Sequence, residues 1–252
     1  MILYQYRGNI DNDEGLGYLS DLLKKGDLKF TRPSEFNDPF DCCPTQLGEV
    51  PIDAFPHAVG DMMNKSIQSA ISMMHGIACF TPHPNKMLMW SHYGDQHRGV
   101  CVGFDSNVLL KNPPLNSEGN PLYEDIVEVV YSSVRPEADC KEQYFQKSKE
   151  WSYEDERRII SSLKRGSPAW GAGVWPIPTA AIREIVLGAR IPEKTEKKVV
   201  NMAKDANPNI AIQKAVLHMH NFEILIESFR DQPSVAPMQV SIMNPDGCWI
   251  KK

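Results

Sequence analysis

The chain has 252 residues, of which 42% are hydrophobic and 23% charged, and its formal net charge is -5 at pH 7. This is ordinary composition for a soluble globular protein, and the length suits one large domain or two small ones. The net negative charge argues against a broadly basic surface that holds duplex nucleic acid by neutralising its phosphates. The sequence has no secretory signal and no run of roughly 18 apolar residues, so we expect a cytoplasmic protein with no membrane partner.

The first half of the chain mixes short strands with helices. Residues 1–7 alternate in polarity and stop at Gly8, as a strand does, and leucines at helical spacing over 16–25 stop at Gly26. Residues 33–41 combine turn formers with two aromatics, which predicts an ordered loop. In chain order we predict a strand over Met1–Arg7, a helix over 16–25, a strand over Leu28–Thr31, a helix over Asp53–Met74, a strand over Gly76–Thr81, a helix over Met87–Tyr93 and a strand over Gly99–Asp105.

The second half follows a loop at 111–121 that is rich in proline, asparagine and glycine. The lysines of the helical pattern over 193–205 are most simply its solvated face. In chain order we predict a strand over Ile126–Tyr131, a helix over Glu137–Glu150, a strand over Arg157–Leu163, a loop over 166–178, a strand over Ile182–Leu187, a helix over Glu193–Asp205 and strands over Ile210–Gln213 and Asn221–Ile226.

These elements predict an α+β fold, because strands outnumber helices and the two do not alternate regularly as in a doubly wound sheet. We expect a single domain over 1–230 and a C-terminal extension over 231–252 that packs on it or is partly flexible.

Several standard site motifs are absent. The sequence has no G-x-G-x-x-G after the first strand, no G-x-x-x-x-G-K-[ST], no H-E-x-x-H and no G-x-S-x-G. Its six cysteines are scattered with no C-x-x-C pair, which predicts buried thiols rather than a zinc site. Dehydrogenase, P-loop kinase, zinc protease and serine hydrolase functions are therefore disfavoured.

The most informative segment is 151–160, where Glu154 and Glu156 lie two residues apart ahead of a predicted strand. Residues two apart share a face of a strand, so both carboxylates should point the same way. Carboxylates that close together raise one pKa or require a cationic partner. We therefore expect either an active site or an ion-pair network with Arg157 and Arg158.

Four polar and aromatic clusters together resemble a widespread bacterial family of unknown function. The recurrent pieces of that family are an early Tyr-x-Tyr or Tyr-Arg strand, Phe-Asn-Asp-Pro-Phe-Asp, Met-Trp-x-x-Tyr followed by Gly-Val-Cys, and Trp-x-x-Glu-x-Glu-x-Arg. In this chain they are Tyr6-Arg7, Phe36 to Asp41, Met89 to Tyr93 with Gly99 to Cys101, and Trp151 to Arg158. The resemblance runs through most of the chain, but the family itself implies no activity.

More remotely, the order of these pieces resembles that of ADP-ribosyltransferases: Arg-Gly closing the first strand, a helix, a middle aromatic or hydroxyl element, and Glu-x-Glu by a later strand. The segment from Cys79 to Leu88 also resembles the middle segment of toxin-type members that modify nucleic acid. This resemblance implies an ADP-ribosyltransferase-like fold with split mixed and antiparallel β-sheets and flanking helices. It also implies NAD as a consumed substrate and no metal. No Ser-Thr-Ser stands at the middle position, so that residue is open between Ser34, Thr81, Ser91 and Tyr93.

The chemistry of NAD cleavage assigns roles within this resemblance. Breaking the bond between nicotinamide and ribose passes through an oxocarbenium-like state, which a carboxylate beside the ribose stabilises. We expect Glu156 to take that role, Glu154 to orient or deprotonate the acceptor, and Arg7 to hold a phosphate or the nicotinamide end. Aromatic side chains are expected to stack on a ligand ring. The expected ligand contacts are Tyr6, Arg7, Gly8, Ser34, Asn37, Trp90, Ser91, His92 and Tyr93.

The leading hypothesis is an NAD-consuming ADP-ribosyltransferase with an RNA, DNA or protein acceptor. It includes a role as a toxin or antiphage defence effector, with an antitoxin or chaperone as a further partner. A second hypothesis is an NAD glycohydrolase, which shares the site and uses water as the acceptor. A third is a non-catalytic nucleotide-binding or protein-interaction module in which the two glutamates pair with Arg157 and Arg158.

Overall fold

The structure is a computed structural model that describes residues 1–43, 46–47, 50–51, 56–115, 119–136, 141–162, 173–229, 241–243 and 249–251. Its architecture is mixed α+β, with several sheets and flanking helices, which confirms the predicted fold class. The helices are α1 (Asp13–Lys25), α2 (His57–Met74), α3 (Met87–His92), α4 (Ser106–Lys111) and α5 (Glu193–Ala206). The strands are β1 (Ile2–Arg7), β2 (Asp27–Phe30), β3 (Gln46–Leu47), β4 (Val50–Pro51), β5 (His75–Phe80), β6 (Val100–Asp105), β7 (Val127–Glu128), β8 (Val130–Ser132), β9 (Gln146–Ser148), β10 (Arg157–Ser162), β11 (Gly173–Pro176), β12 (Ile182–Leu187), β13 (Ala211–Leu217), β14 (Ile224–Ser228), β15 (Ser241–Met243) and β16 (Trp249–Lys251).

Among the described residues, the largest sheet has five strands in the order β1-β6-β12-β13-β14. Neighbouring strands are antiparallel except β12 and β13, which are parallel. A parallel pair needs a crossover connection, and α5 supplies it because it lies between these two strands in the chain. Strand β6 is buried almost throughout, as expected of a strand paired on both sides.

A second sheet brings the candidate site segments together. Within the described part of the chain its order is β5-β10-β7, and Arg157 at the start of β10 pairs with Phe80 at the end of β5. The next residue, Thr81, bridges to Tyr4 of β1. The end of β5 therefore lies between β1 and the start of β10, so side chains from β1 and from 154–158 reach the same region.

Helix α1 illustrates how local signals set the bounds of an element. Its N-cap Asn12 accepts a hydrogen bond from the backbone N–H of Gly15, and the C-cap Gly26 is left-handed, with a φ of 79°. A β-carbon at Gly26 would lie 2.0 Å from the carbonyl oxygen of Ile177, so glycine is required there. The leucine stripe predicted from the sequence is buried in the main core: Leu16, Leu19, Leu22 and Leu23.

The helix predicted over Glu137–Glu150 is wrong. Residues 137–140 lie outside the described residues, and a 3-10 helix over Lys141–Tyr144 is followed by β9, which pairs in parallel with β8. The segment is polar and lacks the apolar stripe that anchors a long helix. Pairing with β8 and the burial of Lys147 outweigh the helical propensity of its lysine and glutamate residues.

Two other segments also differ from prediction. The strand predicted over Ile126–Tyr131 divides at Val129 into β7, which pairs with β10, and β8, which pairs with β9. The divide is fixed because the backbone N–H of Val129 donates to the carbonyl oxygen of Glu156. The loop predicted over 166–178 contains β11, which pairs with β2, while 163–172 lie outside the described residues.

Most of the extension predicted over 231–252 lies outside the described residues. Its strands β15 and β16 pair with each other in antiparallel orientation. The single domain over 1–230 stays a prediction. In the described part of the chain, no helix has the length and apolar character needed to cross a membrane.

Candidate functional site

A cavity of about 370 Å³ lies where β1, β5, the loop after β2 and the segment 147–158 meet. This volume is in the usual range of small-molecule sites, which combine a largely apolar lining with a few convergent polar groups. The aromatic lining residues are Tyr4, Tyr6, Phe36, Phe80 and Tyr93, and the charged ones are Arg7, Lys29, Glu35, Asp41, Lys147, Glu154, Glu156 and Arg158.

One part of the lining is built around Arg158, at the start of β10. Its guanidinium group contacts Glu156 through Nε at 2.8 Å and Nη2 at 3.0 Å. It contacts Asp41 through Nη1 at 2.8 Å and Nη2 at 2.6 Å. Nη1 also donates to the backbone oxygen of Tyr144 at 2.8 Å. All three charged side chains are buried, and such bidentate geometry is what a buried arginine–carboxylate pair needs to offset desolvation.

The adjoining part is organised by Lys147 of β9, which is also buried. Its Nζ lies 2.6 Å from Glu154, 3.3 Å from Glu156 and 3.6 Å from Asp41. The ring of Trp151 covers the ammonium group, with Nζ 4.8 Å from the ring centre. We call the connected set Asp41, Lys147, Glu154, Glu156 and Arg158 the ion network.

The ion network contains three carboxylates and two cations, so one negative charge is in excess when all five groups are ionised. Burial by itself raises the pKa of Glu156, but the charges of Arg158 and Lys147 outweigh it and lower that pKa to about 2. For Glu154, burial and the charge of Glu156 raise the pKa above its ordinary value, because Lys147 offsets them only in part. Glu156 is therefore ionised at neutral pH, and Glu154 is the glutamate with the higher affinity for a proton.

Tyr93 connects the ion network to the open part of the cavity. Its hydroxyl donates to Glu154 at 2.6 Å, and the side-chain nitrogen of Asn37 lies 3.2 Å from the same hydroxyl oxygen. Burial, followed by the charge of Glu154, raises the pKa of Tyr93, so the phenol stays protonated and remains a donor at neutral pH. Tyr93 thus holds one oxygen of Glu154, and Asn37, from a distant motif, contacts the same hydroxyl group.

Arg7, at the end of β1, also lines the cavity, but it lies outside the ion network. Its Nη2 donates to the side chain of Gln5 at 2.7 Å, while its Nε is buried without a hydrogen-bond partner. Burial lowers the pKa of Arg7 to about 10, and no carboxylate of the described residues opposes this shift. A guanidinium group in this situation is suited to an anionic group of a ligand.

A left-handed residue turns the chain between the two glutamates. The 3-10 helix that contains Glu154 ends at Asp155, whose φ is 45° and whose carboxylate lies 3.0 Å from His83 Nε2. Beyond this turn, Glu156 reaches the same Lys147 that Glu154 contacts. The predicted convergence of the two carboxylates is confirmed, although Glu154 lies on a 3-10 helix rather than at the mouth of a strand.

The predicted ion pairing is confirmed for one arginine and wrong for the other. Arg158 pairs with Glu156, as two residues on one strand face should. Arg157 lies on the opposite face and pairs instead with Asp155 and Glu128, at 2.8 Å each.

Six of the predicted site residues line the cavity, and one predicted role is wrong. Trp90 was expected to stack on a ligand, but it is fully buried, donates to the backbone oxygen of Pro84 at 2.8 Å and packs edge-on against Tyr6. It is a core residue, because the large sheet covers it. The residues that do line the cavity are Tyr6, Arg7, Asn37, Tyr93, Glu154 and Glu156.

Four other predicted contacts lie away from this cavity. Gly8 lines a neighbouring cavity that also contains Arg7, and Ser34 is exposed on the 3-10 helix over Pro33–Glu35. Ser91 donates to the backbone oxygen of Met87 one turn earlier, and His92 packs its exposed ring near those of Trp151 and Tyr153. Thr81 is buried and accepts from the backbone N–H of His83. Of the four candidates for the middle residue, Tyr93 is the one that lines the cavity.

Sequence reasoning missed Lys147, Asp41 and Gln5 as site residues. Asp41 closes the Phe36 to Asp41 motif, so its position carried a signal that was not used. Gln5 is two residues before Arg7 on the same strand face, which was also available. Lys147 was missed because its segment was predicted as a helix rather than as a strand.

Residues 89–159 match a family model described as a protein of unknown function (DUF2971). This match covers less than half of the chain and confirms, for residues 89–159, the resemblance to a family of unknown function; the description names no activity. No curated protein and no solved structure matches the chain. The site residues inside the matched range are Tyr93, Lys147, Glu154, Glu156 and Arg158.

Proposed function

We propose that the cavity is the site of an NAD-consuming ADP-ribosyltransferase. The observation that carries this proposal is that one cavity contains Arg7, unpaired by any carboxylate in the described part of the chain, and an ion network with one negative charge in excess. NAD offers a partner to each, since it has a pyrophosphate and a ribose carbon that becomes cationic as the glycosidic bond breaks. The aromatic lining suits its flat rings.

The two glutamates have different roles in this mechanism. The bond between ribose C1′ and nicotinamide breaks, and nicotinamide leaves as a neutral molecule with the bonding electron pair. Glu156, which stays ionised down to a pH of about 2, supplies fixed negative charge beside the ribose. The acceptor forms a new bond to C1′ and loses its proton to Glu154, whose raised pKa suits a general base. Tyr93 orients that carboxylate.

A second candidate is a non-catalytic nucleotide-binding module, and one observation favours it. Both oxygens of Glu156 are engaged by Arg158, which neutralises much of the charge that a cationic transition state would use. An NAD glycohydrolase would share the site and use water as the acceptor. The acceptor class (RNA, DNA or protein), a toxin or antiphage role with an antitoxin or chaperone, and an ADP-ribosyltransferase-like arrangement of the sheets belong to the leading proposal.

The test is incubation of the purified protein with labelled NAD, alone and with RNA, DNA or cell extract, with nicotinamide measured by chromatography. We expect nicotinamide release together with transfer of the label to one acceptor class, and loss of that transfer in the Glu154→Gln variant. Release of nicotinamide and free ADP-ribose alone would indicate the glycohydrolase. Calorimetric binding of NAD without turnover would indicate the binding module. If the protein neither binds nor cleaves NAD, all three hypotheses are refuted.

A further inference from the structure

We propose that Lys147 is the positioning residue of the site: it holds Glu154 and Glu156 together and keeps Glu154 available as an ionised base. The catalytic consequence rests on the proposed function, whereas the charge of Glu154 is measurable without turnover.

The contacts of Lys147 single it out. Its side chain is 5% exposed and lies within 4 Å of three carboxylates, the nearest being Glu154 at 2.6 Å. Within the described residues it is the cation in contact with Glu154, while Arg158 serves Glu156 and Asp41. Trp151 covers the ammonium group. Lys147 is thereby fixed against Glu154, which has no other cationic neighbour in the part of the chain that the structure describes.

The ordinary interpretation is that a buried lysine among carboxylates serves stability alone. Two observations separate Lys147 from that role. The carboxylates of Asp41 and Glu156 already have bidentate contacts with Arg158, so Lys147 adds least to the compensation of their charges. Glu154 depends on Lys147 for charge compensation, and its other oxygen is held by Tyr93 in the cavity.

The charge state of Glu154 follows from what surrounds it. Burial raises its pKa, Glu156 raises it further, and Lys147 and the hydroxyl of Tyr93 lower it. Without Lys147 the upward causes act with little opposition, so Glu154 would hold its proton at neutral pH and would no longer accept one from an acceptor. The titratable groups that face Glu154 are Lys147, Glu156, Tyr93, Tyr131 and Tyr153.

The test compares Lys147→Met, which keeps an unbranched side chain but removes the charged amine, with Lys149→Met, which replaces an exposed lysine two positions along. The carboxyl carbon of Glu154 is titrated by NMR, with Glu154→Gln used to assign its signal. In Lys147→Met we expect the proton affinity of Glu154 to rise about tenfold or more, a midpoint at least about one pH unit higher. Lys149→Met should titrate as the wild type does.

The rate of label transfer to the acceptor gives the second readout. In Lys147→Met it should fall about tenfold or more at neutral pH and recover as the pH is raised, because each pH unit changes the ionised fraction tenfold below the pKa. A loss of rate that is equal at every pH, or an unchanged titration of Glu154, would overturn the proposal.

A double variant covers the case in which Lys147→Met folds poorly. If the defect comes from the uncompensated charge of Glu154, adding Glu154→Gln should raise the melting temperature of Lys147→Met. A double variant that is no more stable than Lys147→Met overturns the proposal. If the wild type does not cleave NAD, the proposed function fails, while the titration and the melting temperatures still decide the role of Lys147.

Discussion

The two halves of the ion network differ in how their charges are compensated. Around Arg158, one guanidinium group makes bidentate contacts with Asp41 and Glu156. Around Lys147, one ammonium group is shared among carboxylates, and Glu154 keeps a raised pKa. Buried charges that are matched donor for acceptor act as structural elements, whereas an incompletely compensated carboxylate can change its charge. Glu156 thus stays charged at neutral pH, and Glu154 beside it can take up a proton.

Breaking the Arg158 half should have the largest effect. The Arg158→Met variant leaves Asp41 and Glu156 buried near each other without their bidentate partner. We expect the free energy of unfolding to fall by roughly 3 to 5 kcal/mol, as is typical when one member of a buried ion pair is removed. Urea denaturation followed by circular dichroism measures this change.

The matched control is Arg183→Met, which removes an arginine that pairs with Asp105 and is 52% exposed. Exposed pairs contribute about 0 to 1 kcal/mol, so this variant should unfold nearly as the wild type does. Similar losses in the two variants would show that burial of the Arg158 half has no special weight in stability.

The difference between the two halves of the ion network predicts that substitution of Glu156 affects stability more than substitution of Glu154. Glu156→Gln weakens the match to Arg158, so we expect a loss of about 3 kcal/mol in the free energy of unfolding. Glu154→Gln removes a buried charge whose pKa is raised, so stability should change by less than about 1 kcal/mol while transfer of the label to the acceptor is lost. Urea denaturation and the NAD assay on both variants test these expectations. A Glu154→Gln variant that loses stability, together with a Glu156→Gln variant that keeps it, would reverse the roles assigned to the two glutamates.

The lowered pKa of Glu156 predicts the pH range over which its charge contributes to stability, which acid unfolding measures. The pKa of Glu156 falls from an ordinary value of 4.5 to about 2 on folding. Its contribution to stability is therefore fully present above pH 4.5 and is lost as the pH falls towards 2. The wild type should lose stability across this window, and Glu156→Gln should lose less.

The parts of the site that local spacing controls were predictable from the sequence. The end of β1 followed from alternating polarity, which placed Arg7, and the two-residue spacing of Glu154 and Glu156 indicated that their carboxylates converge. Arg158 was one of the two arginines predicted as ion-pair partners, and it pairs with Glu156 because residues two apart share a strand face. In each case the deciding interactions lie within a few residues along the chain.

The remaining features depend on contacts between distant segments. Lys147 was predicted to lie on a helix, but the pairing of β9 with β8 and contacts with three carboxylates, including the distant Asp41, fix it as a buried strand residue. Trp90 belongs to the same motif as Tyr93, yet the large sheet buries the one and leaves the other at the cavity. Neither depth of burial nor strand partner is encoded in the local pattern.

Arg7 lies outside the ion network, and we expect its substitution to have the smallest effect on stability. Its effect on NAD binding should contrast sharply with this. Because its guanidinium group has no carboxylate partner among the described residues, Arg7→Ala should leave the free energy of unfolding nearly unchanged. It should weaken NAD binding by roughly 1.5 to 3 kcal/mol, about ten- to a hundredfold in Kd, as expected for a lost charged hydrogen bond. Arg98→Ala is the control, since Arg98 is exposed and paired with Asp95. Calorimetry with NAD and with ADP measures both variants. Equal affinity in Arg7→Ala and the wild type would make Arg7 structural and remove the anionic half of the proposed site, whereas lost affinity with retained stability would mean that this arginine is kept in the cavity for a ligand.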